Sequence, residues 1–280
     1  MIVLAWEDHE LTRRCVASLV DEATQIIVVD NGSHEPHKTE LRAVADDCRA
    51  TLVRSDVNLG FAGGMNLGLR LASEEIVILS NNDLTVEKGS VARLVAALES
   101  PLVGAAFPAT IDGGGRETTA AGHFLTLARA VSFALGLSIA FPRLGIVASP
   151  DQCDWLTGPF VAVRTQLLKD MGGVPNQSFF YSEDYRLCWA LRQRGLGKRV
   201  VRDARVLHLD DQSAKKIWDA EIIAQHQTRE LVRAAKDQYE PRLKKWILAN
   251  SFLFGCKWRN WVRPSPQRQG CVRGAREALK

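Results

Sequence analysis

The sequence holds no CxxC pair and no zinc-like Cys/His spacing; its six cysteines, Cys15, Cys48, Cys153, Cys188, Cys256 and Cys271, are scattered. That excludes a small metal-stapled module and fits a reducing, cytoplasmic setting. No basic region precedes a long apolar stretch at the N-terminus. The chain opens directly on Ile2, Val3 and Leu4, and is read as not exported. The most apolar later stretch, Leu125 to Ala140, carries Arg129 and falls short of the roughly 20 residues needed to cross a bilayer. A buried or interfacial helix is expected there. No internal repeat is evident, and no GxGxxG follows the first apolar run, which argues against a NAD enzyme.

What is present is an ordinary globular composition: 280 residues, 46% hydrophobic and 24% charged, enough to bury a substantial core. The formal charge of +4 is unevenly spread. Residues 241–280 hold ten Lys/Arg against Glu277, a net of +9 that leaves −5 for the rest. Electrostatic attraction is therefore local to the tail.

Apolar patterning alternates strands and helices in the manner of a parallel sheet covered on both faces. Strands are expected at Ile2–Trp6, Gln25–Val29, Thr51–Arg54 and Ile76–Leu79, with helices at about Glu10–Val20, Leu41–Cys48 and Met65–Ala72. This makes a βαβαβαβ half. Beyond it the pattern predicts a helix near Val86–Leu98, a Gly-rich loop at Gly113–Gly115 and a strand over Phe160–Val163.

Open α/β sheets take ligands beyond the carboxyl ends of their strands. The second strand ends in Asp30-Asn31-Gly32-Ser33, where Asp30 either accepts hydrogen bonds from a nucleobase or ribose or closes a plain Asx-turn. After the third comes Asn58-Leu59-Gly60-Phe61-Ala62-Gly63-Gly64-Met65-Asn66-Leu67-Gly68. Its glycines either open backbone amides to phosphate or sugar oxygens or pack a helix against the sheet. The fourth ends in Ser80-Asn81-Asn82-Asp83, oxygen donors suited to a hard cation or to a turn.

Together with Val3-Leu4-Ala5-Trp6, Asp154-Trp155-Leu156-Thr157-Gly158, Phe179-Phe180-Tyr181-Ser182-Glu183-Asp184, and His208 with Ser213, these segments resemble, in order and spacing, a bacterial family 2 glycosyltransferase of the rhamnosyltransferase-like branch. The resemblance covers about residues 1–213. It implies a Rossmann-like GT-A type nucleotide-diphospho-sugar transferase fold, a mixed, mainly parallel sheet flanked by helices, and an inverting single displacement. In that frame the donor site comprises Asp30, Asn58, Gly60, Asn66, Asn82 and Asp83. Asp83, with His208, would hold Mg²⁺ or Mn²⁺. Asp184 would be the general base, with Glu183 orienting it or binding the acceptor, and Asp154 and Trp155 would contact the acceptor. Three positions depart from the family pattern: Asn81 stands where the first Asp of a DxD motif would be, Arg186 where an acid is frequent, and Ala190 where Arg is frequent.

The implied organisation is a glycosyltransferase domain over residues 1–240, with a nucleotide-binding half (1–100) and an acceptor-binding half (101–240), and a basic, aromatic tail over 241–280. In that tail Arg242, Lys244, Lys245, Trp246, Lys257, Trp258, Arg259 and Trp261 surround the apolar Ile247–Phe254 stretch, suited to an anionic membrane surface or to packing on the domain. The implied partners are a nucleotide-diphosphate sugar and a glycan or lipid-linked acceptor; the expected setting is the cytoplasm, with the tail offering a peripheral contact at the inner face of the membrane. No nucleic-acid reading motif is present. An inactive membrane-peripheral scaffold and a nucleotidyltransferase are the competing readings; retained Asp83, Glu183 and Asp184 oppose the first, and the lack of a basic glycine-rich loop in Val3–His9 the second.

Overall fold

A computed structural model describes residues 1–141, 144–208, 219–239 and 242–279. The chain divides into two compact units: Met1–Thr119, Thr157–Phe179 and Leu187–Ser213 make the first, and Ala120–Leu156, Phe180–Arg186 and Ala214–Lys280 the second.

The strands are β1 (Ile2–Ala5), β2 (Ile27–Asn31), β3 (Thr51–Ser55), β4 (Ile76–Asn81), β5 (Leu84–Val86), β6 (Val103–Ile111), β7 (Ala121–Gly122), β8 (Trp155–Leu156), β9 (Phe160–Arg164) and β10 (Gly197–His208). Eight of them form the sheet of the first unit in the order β3-β2-β1-β4-β9-β6-β10-β5, and β7 pairs with β8 in the second unit. Pairing is parallel from β3 through β4 and between β6 and β10. It is antiparallel where β9 meets β4 and β6, and where β5 meets β10.

The expected βαβαβαβ half is present, with α1 (His9–Ala17), α2 (His37–Asp47) and α3 (Gly60–Leu69) between its strands. The two-residue period of β1 explains the layering. Val3 and Ala5 join a buried cluster with Cys15 and Val16 of α1, with Leu19 in the turn after it, and with Leu41 and Val44 of α2. Ile2 and Leu4 point the other way, toward α3. There Gly64 and Gly68 come so close that an added Cβ would lie 2.3 Å from Leu4 Cδ1 and 2.6 Å from Ile2 Cγ2. Asp8 caps α1, accepting from the Leu11 N–H at 2.9 Å.

Several element boundaries differ from the sequence reading. Helix α3 begins at Gly60 instead of Met65, because its glycines serve as the face that docks on the sheet. The Val86–Leu98 segment is the end of strand β5 followed by α4 (Ser90–Ala97). The Leu125–Ala140 stretch is two helices, α5 (Leu127–Ala134) and α6 (Leu137–Ala140), interrupted where Gly136 takes φ 74°. Strands β6 and β10 were not foreseen. The first carries Pro108 in mid-run, and the second is rich in charge and has an irregular register between Val201 and Arg205.

Two further helices are α7 (Thr165–Asp170) and α8 (Glu183–Gln193), the latter starting in the second unit and ending in the first. The second unit also holds the helices Ala220–Lys236, Arg242–Val262 and Pro266–Glu277. The first and third of these pack at backbone distance: a Cβ on Gly270 or Gly274 would lie 2.1 Å from the carbonyl oxygens of Glu221 and Gln225 respectively. Helix Arg242–Val262 buries Leu248, Ala249, Phe252, Leu253 and Cys256, and Phe252 stacks on Phe133 of α5 with ring centroids 4.8 Å apart. Among the described residues no helix is long and apolar enough to cross a membrane.

Candidate active site

From β1 the chain steps outward to β2 and β3, then returns to lay β4 on the opposite side of β1. Such a reversal opens a crevice at the carboxyl ends of the two central strands. Asp30 lies one strand away, at the end of β2, and is fully buried. Its Oδ1 accepts from the Ser33 N–H at 2.9 Å, closing the Asx-turn, and its Oδ2 is ion-paired with Arg54. Arg54 also donates to the Ser33 carbonyl at 2.9 Å. A buried carboxylate is sustained only by such compensation. Arg54 escaped sequence reasoning, although it is the direct register partner of Asp30 across β2 and β3. Two charged residues at the ends of consecutive strands are the signal that could have found it.

The glycine-rich segment is occupied by protein hydrogen bonds. Asn58 Oδ1 accepts from the Gly60 N–H at 2.9 Å and from Asn31 Nδ2 at 3.0 Å, while the Leu59 N–H donates to Asn31 Oδ1 at 3.0 Å. The Phe61 N–H donates to the Phe179 carbonyl at 3.3 Å, and Gly60 leaves no room for a Cβ against that same carbonyl. These bonds consume amides at the start of α3 that would otherwise face an anion. Asn66 is equally engaged, its amide bridging the N–H and C=O of Val174 at 2.7 and 2.8 Å. Asn82 donates to Thr12 Oγ1 at 2.9 Å and to the Asp8 carbonyl at 3.3 Å, tying the end of β4 to the start of α1.

Asp83 follows β4 and is 3% exposed. Its Oδ1 lies 3.2 Å from His208 Nε2. The contact arises because His208, the last residue of β10, is the register partner of Leu84 in β5. Residues 125 positions apart are thereby joined. The carboxylate oxygen suits Mg²⁺ or Mn²⁺, whereas the imidazole nitrogen is a softer donor that Mg²⁺ does not favour. Among the described residues no group of three His, Cys, Asp or Glu side chains converges on a common point. Ser213, part of the same sequence segment as His208, lies outside the described residues.

In the second unit, Glu183 and Asp184 open α8 immediately after Tyr181 and Ser182, which hold left-handed φ values of 71° and 69°. Non-glycine residues take that conformation at a cost of roughly 1–3 kcal/mol each and only where surrounding structure enforces it. Burial of the Glu183 carboxyl, then the nearby charges of Asp184 and Glu230, push its pKa up to about 8. Glu230, itself buried, is held by Arg229 at 2.7 Å and Arg233 at 3.1 Å. Arg186, one of the departures from the family pattern, pairs with Asp237 at 2.6 Å.

Asp154 Oδ2 gathers three donors, the Phe124 N–H at 2.9 Å, His123 Nδ1 at 3.2 Å and Arg129 at 3.4 Å. Trp155 donates its indole N–H to the His123 carbonyl at 3.2 Å. The ring covers Gly122, where a Cβ would come within 2.6 Å of it, so part of its surface is spent on packing.

A mainly parallel sheet of this order, with acids at the end of β2 and just beyond β4, defines a GT-A type nucleotide-diphospho-sugar transferase fold. Residues 2–170 match the sequence profile of Glycosyl transferase family 2, and the chain belongs to that family. It is 25% identical over 208 residues to the pre-mycofactocin glycosyltransferase of Mycobacterium tuberculosis, covering 74% of this chain and 42% of that protein. It is 24% identical over 193 residues to the low-salt glycan biosynthesis hexosyltransferase Agl10 of Haloferax volcanii, covering 67% and 60%. The chain thus spans about half the length of these curated relatives. Among solved structures, the mannosyltransferase PcManGT of Pyrobaculum calidifontis, in complex with GDP-Man and Mn²⁺, superposes with a TM-score of 0.65 at 17% identity, covering 99% of this chain and 86% of that one. TarS 1-349 of S. aureus, in complex with UDP-GlcNAc, gives 0.57 at 16% identity, covering 93% and 73%.

Proposed function

We propose that this protein transfers a sugar from a nucleotide-diphosphate sugar to an acceptor hydroxyl of a glycan or lipid-linked glycan. The observation that carries the proposal is the Asp83–His208 pair beyond β4, at the reversal of strand order, in a chain of Glycosyl transferase family 2. Asp30, fixed by Arg54 and Ser33, is assigned to the base or ribose; Asn58, Gly60, Asn66 and Asn82 shape the wall of the donor site through the bonds described above. A divalent cation, when bound at Asp83 and His208, would supply positive charge to the donor diphosphate. Rhamnose is the proposed sugar, by resemblance to the rhamnosyltransferase-like branch.

In the displacement, the acceptor oxygen bonds to the anomeric carbon from the face opposite the diphosphate, whose bond breaks with both electrons remaining on its oxygen. The acceptor's proton passes to the Asp184 carboxylate. Glu183 keeps its own proton at neutral pH and serves as a hydrogen-bond donor beside the base. Asp154 and Trp155 are assigned to the acceptor, the acid through hydroxyls and the indole face through sugar C–H groups.

The raised pKa of Glu183 supports a second reading in which Glu183 and Asp184 exchange roles. One experiment tests both: turnover across a panel of nucleotide sugars, dTDP-rhamnose included, with and without Mg²⁺ or Mn²⁺, for the parent, Asp184→Asn and Glu183→Gln. General-base catalysis contributes roughly 10²–10⁴-fold, so Asp184→Asn is expected to lose turnover on that order with donor affinity nearly intact. A larger loss in Glu183→Gln moves the base to Glu183. Absence of transfer or hydrolysis with every donor rejects the function.

A further inference from the structure

The second unit carries an apolar face that the proposed reaction does not use. On and after α6, Ile139 is 72% exposed and Phe141 58%; on helix Arg242–Val262, Phe254 is 58% exposed and Trp261 83%. The two segments that carry these side chains are fastened to each other. The Trp258 indole N–H donates to the Ala134 carbonyl at 2.9 Å. Arg259 lies 3.7 Å from the Phe133 ring centroid and donates to the Phe133 carbonyl at 2.6 Å and to Ser138 Oγ at 3.2 Å.

Phe254 and Trp261 stand seven residues apart on one side of the helix, with the half-buried Trp258 beside them holding it to α5, while Leu248, Phe252 and Cys256 fill the buried side. The exposed stripe is therefore not a core face left bare. Exposed cations accompany it along the chain: Lys257 between Phe254 and Trp261, Arg263 just past the helix, and Arg242 and Lys244 at its start. Neither Leu127–Phe141 nor Arg242–Arg263 contains a single acidic residue.

We infer that this face docks on an anionic lipid surface, with Ile139, Phe141, Phe254 and Trp261 entering the interface and the flanking Lys and Arg meeting headgroup phosphates. Aromatic and aliphatic side chains rimmed by cations, on helices that cannot span, are what such a surface binds. A second copy of the chain fits less well, since pairing two such faces would oppose their basic rims. The inference goes beyond the proposed reaction and does not rest on it.

The test is flotation of the full chain with phosphatidylcholine vesicles, with and without phosphatidylglycerol, where no donor or acceptor is present. Binding is expected to be about tenfold or more stronger with the anionic lipid and to weaken as salt rises. Ile139→Ser with Phe141→Ser, and separately Trp261→Ser, should each cut partitioning about tenfold. Leu102→Ser, an exposed position in the first unit, should leave it unchanged. Circular dichroism checks folding, and Lys257→Glu serves where an apolar variant fails to fold. No binding to anionic vesicles, variants that bind like the parent, or a concentration-dependent dimer abolished by the same substitutions would each overturn the inference.

Discussion

Glu183 ties a proton to stability in a way that can be worked through. Its ordinary carboxyl pKa of 4.5 is pushed up to about 8 in the folded protein, by burial first and by Asp184 and Glu230 next. Between those values the folded state holds a proton that the unfolded chain has released. The stabilising contribution is thus complete below pH 4.5 and is lost as pH rises through 8. The linkage relation puts it at about 3 kcal/mol at pH 6 and at less than about 1 kcal/mol at pH 8, a decline of about 2 kcal/mol. Glu183→Gln keeps a neutral, hydrogen-bonding side chain at every pH and removes this dependence. Urea denaturation of parent and variant at pH 6, 7, 8 and 9 measures it. The parent should weaken relative to the variant from pH 6 to 8, and the gap should level off by pH 9. Stability curves that run parallel across this range would show that Glu183 titrates normally and would refute the argument.

Asp83→Ala should abolish metal-dependent donor binding while leaving the melting profile near that of the parent, and His208→Ala should weaken it; isothermal titration with a nucleotide sugar and Mn²⁺ checks both. Asp30→Ala should weaken binding of a free nucleoside diphosphate even without metal, and, by stranding Arg54, should also lower the urea midpoint. Gly68→Val would drive a branched side chain into Ile2 and Val29 and should cost about 1–3 kcal/mol or more in urea unfolding.

The first half of the fold was legible because each buried strand is a short β-branched run followed by a helix with apolar residues at helical spacing, and because acids stand where strands end. The second half was not. In strand β10 charged pairs (Lys198-Arg199 and Arg202-Asp203) are interspersed with Val200-Val201 and Val206-Leu207, which breaks the two-residue period, and only its neighbours β6 and β5 reveal it as a sheet member. Candidate acids could be picked from the sequence one by one, but the side chains that the fold sets beside them could not. Asp30 with Arg54 depends on strand register, Asp83 with His208 on an antiparallel pairing far along the chain, and Asp154 with His123 and Arg129 on a two-stranded sheet of two residues each. The glycine-rich segment offered two roles. Packing against Ile2, Leu4 and Val29 accounts for Gly64 and Gly68.

The second unit is assembled from three separated stretches, and the contact of Gly270 and Gly274 with Glu221 and Gln225 bolts its final helix to Ala220–Lys236 at van der Waals limits. During synthesis, then, the sheet of the first unit has all its strands once His208 has left the ribosome, whereas the core containing Glu183 and Glu230 stays unfinished until Pro266–Glu277 emerges. Domains that fold as units from the N-terminus onward would make the second unit set after the first. A nascent chain arrested before Pro266 should protect the β1–β4 region from protease while leaving α5 and Ala220–Lys236 open to cleavage.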